Sequence, residues 1–189
     1  MNKNVDNTVY PEITTDVVKD YISDAKTFAL RMGLGAALFI ICPVLPVIGA
    51  FRLVSIFTAL FGMFALIFLG IFFLIYGAID FAKWSYLKKE KRLLDSEAME
   101  YVKDENANYG SAFASRLTLG IMMICLCWFP LVLLTRKSGL IYSLVGRSTV
   151  LGLSILFFMI GYGLLLIIVT AITKGIYSGL VRMNLRHSR

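Results

Sequence analysis

Four long runs without a charged residue divide this chain, at residues 32–51, 53–79, 117–135 and 148–173. A bilayer core of about 30 Å takes roughly 20 helical residues at 1.5 Å each. The pattern therefore predicts four transmembrane helices, at about 31–51, 53–79, 116–135 and 148–173. Ahead of the first, Ile13, Val17, Tyr21, Ala25 and Phe28 recur every three or four residues, with Lys19, Asp20, Ser23 and Lys26 between them. That period predicts an amphipathic helix. Thr14 or Thr15 is its expected N-cap, and Asp16 sits where the helix dipole favours negative charge. The helix either continues into the first span or kinks near Gly33. Leu94, Ala98, Tyr101 and Val102 predict a second amphipathic helix, with a turn expected near Asn106 to Gly110 before the third span. Pro43 and Pro46 should break the outer part of the first span. Phe57, Phe61, Phe64, Phe68 and Phe72 share one face of the second, a spacing that suits lipid or helix packing.

The pattern is written twice. Phe28-Ala29-Leu30-Arg31-Met32-Gly33-Leu34-Gly35 and Phe113-Ala114-Ser115-Arg116-Leu117-Thr118-Leu119-Gly120 both read F-A-x-R-x-x-L-G at an offset of 85, which Cys42 and Cys127 keep. Tyr21-Ile22-Ser23-Asp24 is echoed by Tyr101-Val102-Lys103-Asp104, which puts about five extra residues in the second copy. Trp84 and Tyr177 match at an offset of 93. A repeat at this scale sets the architecture. We expect an all-α polytopic membrane protein of four spans, built as two parallel helix-hairpin repeats, each preceded by an amphipathic cytoplasmic helix. Its parts are a polar tail at 1–12, repeats at 13–82 and 83–180, and a basic tail at 181–189. Two spans per repeat make the copies enter the membrane in the same direction, about an axis along its normal. Closely spaced glycines (Gly33 and Gly35, Gly70 and Gly77, Gly161 and Gly163) suit close helix approach.

Composition agrees: 58% of the residues are hydrophobic, 16% are charged, and the mean hydropathy is +0.77. The formal charge of +7 is an orientation signal rather than a nucleic-acid one. Fifteen of the nineteen Lys and Arg residues lie before the first span, between the second and third, or after the fourth. Only Arg52, Arg136, Lys137 and Arg147 lie on the other side. The positive-inside rule then expects both termini and the central segment in the cytoplasm of a multi-pass cell-membrane protein. The first 26 residues carry five acidic side chains and no short apolar core, so no secretory signal peptide is read there. Membrane lipids are expected partners, with self-association or another membrane protein, and no nucleic acid by this chain alone.

Chemistry is sparse. The only histidine is His187, near the end of the chain. Gly161-Tyr162-Gly163 has no strand before it and is no phosphate loop. Cys42, Cys125 and Cys127 fall inside predicted spans and read as small apolar packers. We expect no enzyme, no metal and no cofactor. The candidate polar contacts are Arg31 and Arg116, one per repeat, with Asp80, Lys83 and Lys174 at the inner membrane interface. Tyr21, Asp24, Phe28, Tyr101 and Asp104 form a candidate partner-contact face. Arg136, Lys137 and Arg147 bound a cationic external loop.

The polar helix with Tyr-x-x-Asp leading into Arg31-Met32-Gly33-Leu34-Gly35-Ala36-Ala37-Leu38-Phe39-Ile40-Ile41-Cys42-Pro43 resembles the membrane half of certain helix-turn-helix regulators of Gram-positive bacteria. The resemblance covers roughly residues 10–180. It implies a membrane module without the DNA-binding domain of those regulators, acting through a partner. The expected function is a small integral membrane protein with a regulatory, sensory or accessory role, exerted by its cytoplasmic helices. A small transporter or channel subunit, or an immunity protein against a membrane-active peptide, is the alternative.

Overall fold

A computed structural model describes residues 13–84, 94–130, 132 and 142–185, with the last helix's side chains described at 149–182. All its regular elements are helices: α1 (Thr15–Ile41), α2 (Val44–Ala50), α3 (Ile56–Ala82), α4 (Ser96–Leu126) and α5 (Tyr142–Leu185). Four stretches are long and apolar enough to cross a membrane: Thr15–Ala50, Ile56–Ala82, Ser96–Pro130 and Thr149–Arg182.

The amphipathic segments and the spans they precede form single helices. α1 passes Gly33 unbroken, and α4 passes the turn expected at Asn106–Gly110 without interruption. That segment holds no proline, and one helical glycine costs only about 1 kcal/mol. α1 stops at its C-cap Cys42, whose amide donates to the Leu38 carbonyl at 2.9 Å, and Pro43 starts α2. α4 stops at the matching residue, Cys127. The turn into α3 turns on Arg52, the one described non-glycine residue with positive φ (57°). α5 takes in 142–147, expected as loop, and runs past the fourth expected span to Leu185. Arg136 and Lys137 lie outside the described residues, as does the side chain of Arg147.

The helices stand in a row in the order α3, α1, α5, α4, each antiparallel to its neighbour. Glycines make this row. Residues two apart on a helix point about 200° apart, so a Gly-x-Gly pair opens two opposite faces. Gly33 meets Leu165 and Val169 of α5, whereas Gly35 meets Gly70 and Leu74 of α3. On α5, Gly161 meets Ala37 and Ile41 of α1, and Gly163 meets Gly120 and Ile124 of α4. The inner helices thus each carry a pair. The outer helices α3 and α4 share no packed interface, and only 11% of each apolar window is buried, against 33% for the first span and 22% for the fourth. The phenylalanine face of α3 is exposed, as Phe57 at 81% and Phe68 at 70% show.

A cluster of buried apolar side chains lies at the end of the row where α1 and α4 begin. Ile13, Val18, Tyr21 and Ile22 pack there with Leu94, Ala98, Met99 and Val102, and with Tyr177 and Leu180 from the end of α5. Ile13 and Leu94 lie side by side, and the Asp95 amide donates to the Ile13 carbonyl at 3.2 Å. Each Ile, Val, Leu or Met side chain among them contributes about 1.5–3 kcal/mol by burial, so the polar ends of α1 and α4 are held as a layer.

Candidate functional site

Two polar clusters join this layer to the apolar part of the row. The first binds α1 to the end of α3. Arg31 Nη1 donates to Asp80 Oδ2 at 2.6 Å, and the guanidinium lies 4.5 Å from the Tyr76 ring centroid. Lys83 Nζ meets Asp24 Oδ2 at 2.7 Å and Asp80 Oδ1 at 3.6 Å. Trp84 Nε1 donates to Asp24 Oδ2 at 2.9 Å. The Lys83 ammonium holds the Asp24 carboxyl below the usual carboxylate range, against partial desolvation, with Trp84 adding to it. The same bond holds the Lys83 ammonium above its ordinary value. Phe28 stacks on Phe81 at 4.6 Å, and Tyr21 meets Trp84 edge-on at 5.3 Å.

The second cluster binds α4 to the end of α5. The Tyr177 hydroxyl donates to Glu105 Oε2 at 3.1 Å, and the Tyr101 hydroxyl to Glu105 Oε1 at 3.5 Å. Lys26 of α1 reaches Glu105 at 3.9 Å. Burial first, then the Glu105 charge, pushes the Tyr177 phenol far up. Lys174 Nζ donates to Asn106 Oδ1 at 2.8 Å and lies 5.9 Å from the Phe113 ring. Arg116 lies 5.9 Å from the Tyr109 ring, with no carboxylate in ion-pair reach among the described residues.

The sequence-singled residues Arg31, Asp80, Lys83 and Asp24 thus come together. Arg116 and Lys174 join the second cluster's surroundings instead. Tyr21, placed on a partner-contact face, is only 7% exposed and belongs to the layer's core. Phe28 is stacked internally, and Asp104 accepts from Asn108 at 3.4 Å on an exposed face. Glu105, Trp84 and Tyr177 carry contacts that sequence reasoning did not assign. Asp24 and Glu105 each lie ten residues past their helix N-caps, Thr14 and Asp95. Counting from the caps would have paired them.

Beside the N-terminal half of α1 and the C-terminal ends of α3 and α5 lies an apolar groove of about 290 Å³, lined by Tyr21, Phe28, Phe81, Ile172, Gly175 and Gly179 among others. Among the described residues, no three His, Cys, Asp or Glu side chains are grouped to hold a metal ion. Cys42 and Cys127 are buried, Cys125 is exposed, and none is in a disulfide. The arrangement binds helices to one another, and most of the donors and acceptors named here meet internal partners; the buried hydroxyls of Tyr109, beside Tyr177, and of Thr170 have none among the described residues. Comparison with known protein families, with curated proteins and with solved structures gives no match.

Proposed function

We propose that this chain is a small polytopic membrane protein with a regulatory, sensory or accessory role, exerted through protein contacts of its cytoplasmic helices. The observation that carries this reading is mechanical. α1 and α4 each run unbroken from the polar layer into the apolar row, and the Asp24–Trp84 and Glu105–Tyr177 contacts tie that layer to the ends of α3 and α5. A partner pressing on the layer therefore acts on all four spans. The open side of the layer is acidic, with Asp16, Asp20, Glu97, Glu100 and Asp104 exposed beside Lys19 and Lys103. That favours a basic protein surface.

Two parallel helix-hairpin repeats, α1 with α3 and α4 with α5, are part of the proposal. Matched features support them: Gly35 against Gly70 and Gly120 against Gly163, Cys42 and Cys127 as C-caps, and the two aromatic-to-carboxylate bonds. The charge distribution supports a cytoplasmic layer with both termini on that side. The resemblance to the membrane half of Gram-positive helix-turn-helix regulators points to the regulatory side of the reading.

Purification from native membranes in mild detergent, with mass spectrometry of what co-elutes, tests it. A stoichiometric protein partner is expected, lost when Glu97, Glu100 and Asp104 are all changed to Lys. A chain that elutes with no partner, or whose partner ignores those changes, refutes it.

A further inference from the structure

We propose that the outer faces of α3 and α4 are two halves of one interface, in which α4 of one copy of the chain packs antiparallel on α3 of a second copy. The proposal rests on the two-repeat reading. Within the chain the repeats meet head to tail: α1, the first helix of repeat one, packs on α5, the second helix of repeat two. The same contact continued by the repeat would join the first helix of repeat two, α4, to the second helix of repeat one, α3. Those two helices are the ones left at the ends of the row.

The surfaces correspond residue by residue. The α1 side of the in-chain contact is Gly33, Ala37 and Ile41, and the α5 side is Gly161, Leu165 and Val169. At the repeat offset of 85, the α4 counterparts are Thr118, Met122 and Leu126. At 93, the α3 counterparts are Phe68, Phe72 and Tyr76. All six are exposed and stand four residues apart on single stripes. The antiparallel alternation along the row is preserved, because α4 and α3 run in opposite directions. Thr118 and Phe68 stand where the in-chain contact has glycines, so this second contact is wider, at the ordinary interaxial spacing of about 8–10 Å. The α3 side is already ordered to fill that space. Phe72 and Tyr76 stack at 5.6 Å and 8°, and Arg31 holds Tyr76 from behind. In lipid, helix association comes from packing rather than from leaving water, so a pre-ordered aromatic ridge loses little entropy on docking. A head-to-tail contact either closes into a ring or runs on; the smallest closed form is a dimer of four hairpins.

Disulfide trapping in native membranes tests this, in a full chain with Cys42, Cys125 and Cys127 changed to Ala. The double variant Phe72→Cys, Thr118→Cys should give crosslinked dimers or larger rings on mild oxidation. Each single variant should give none, because the contact is not self-complementary. Two single variants co-expressed should give the mixed dimer. Absence of crosslinks in the double variant, or equal crosslinking by a single variant, overturns the proposal. The control Ile41→Cys, Gly161→Cys reports the in-chain contact within one chain. If it closes while the outer pair does not, the outer faces are covered by lipid and the repeat reading survives. If it also fails, the helix row itself is wrong.

Discussion

A Cβ built on Gly163 would lie 2.7 Å from the carbonyl oxygen of Gly120, closer than real Cβ atoms come to such a group. The obstacle is backbone, not the movable end of a side chain. Gly163→Leu should therefore push α4 from α5 and destabilise the fold by about 1–3 kcal/mol, the usual cost of overpacking. Gly175→Ala should be tolerated, since nothing lies within 4 Å of its added Cβ. Thermal unfolding in detergent, followed by helical circular dichroism, separates the two. Equal effects from both substitutions would mean that α4 and α5 do not cross at Gly163.

Arg31 and Asp80 make the shortest ion pair between α1 and α3, and both are partly buried. Asp80→Asn leaves Arg31 without its counter-charge and should lower stability by about 1.5–3 kcal/mol, the range for hydrogen bonds to charged groups. Asp80 also has Lys83 at 3.6 Å, so the loss is shared. The charge swap Arg31→Asp with Asp80→Arg should recover part of it, whereas Arg31→Asp alone should be worse than either. A swap no better than the single reversal would show that the guanidinium matters mainly through Tyr76.

Much of this fold was legible from local pattern. Charge-free runs, the three-to-four spacing from Ile13 to Phe28, and the prolines after Cys42 each depend on a few neighbouring residues, and the structure places the helices and the break accordingly. The order of the row was not legible. Gly33 and Gly35 were visible as a pair, but that they serve two different neighbours follows only from the 200° between them and from what stands opposite. The contacts of the second cluster were not legible either. The tyrosine motifs pair Asp24 with Asp104, whereas counting from the N-caps pairs Asp24 with Glu105; Tyr21 is buried and Tyr101 partly buried. Which carboxylate a distant helix end reaches depends on where the helices start and cross, which side-chain similarity does not report.

The Asp24–Lys83 pair sets a pH window. Lys83 holds the Asp24 carboxyl below its ordinary value, so its contribution is present above about pH 4 and is lost as pH falls through the lowered value. Lys83 is raised, so its contribution is complete below about pH 10 and is lost as pH climbs beyond. Between these limits the contact should be flat with pH. Trp84 reports on it, because its indole N–H donates to Asp24. With Trp128→Phe as background, Trp84 is the only tryptophan of the chain's two left. Its emission should hold steady from about pH 5 to 9 and shift on acidification. Asp24→Asn should show the shifted emission already at neutral pH. Identical spectra for parent and variant at pH 7 would count against the bond.

α4 has 31 residues where α1 has 27, though both run from a polar N-cap to a cysteine C-cap. Between caps the difference is four residues; between the tyrosine and F-A-x-R motifs it is five. Four residues advance a helix by about 400°, leaving its faces within about 40° of register. The longer α4 can therefore still offer Val102 to the small core and Gly120 to α5. Two residues would turn it by about 200° and carry the apolar stripe to the outside. Two alanines inserted after Gly110, whose surroundings are open, should release the layer from α5 while the spans stay folded. Four should leave it docked. Limited proteolysis of the layer, with circular dichroism as the control for the spans, reads the difference. Equal protection in both insertions would mean that α4's polar turns are not held by the face that carries Val102.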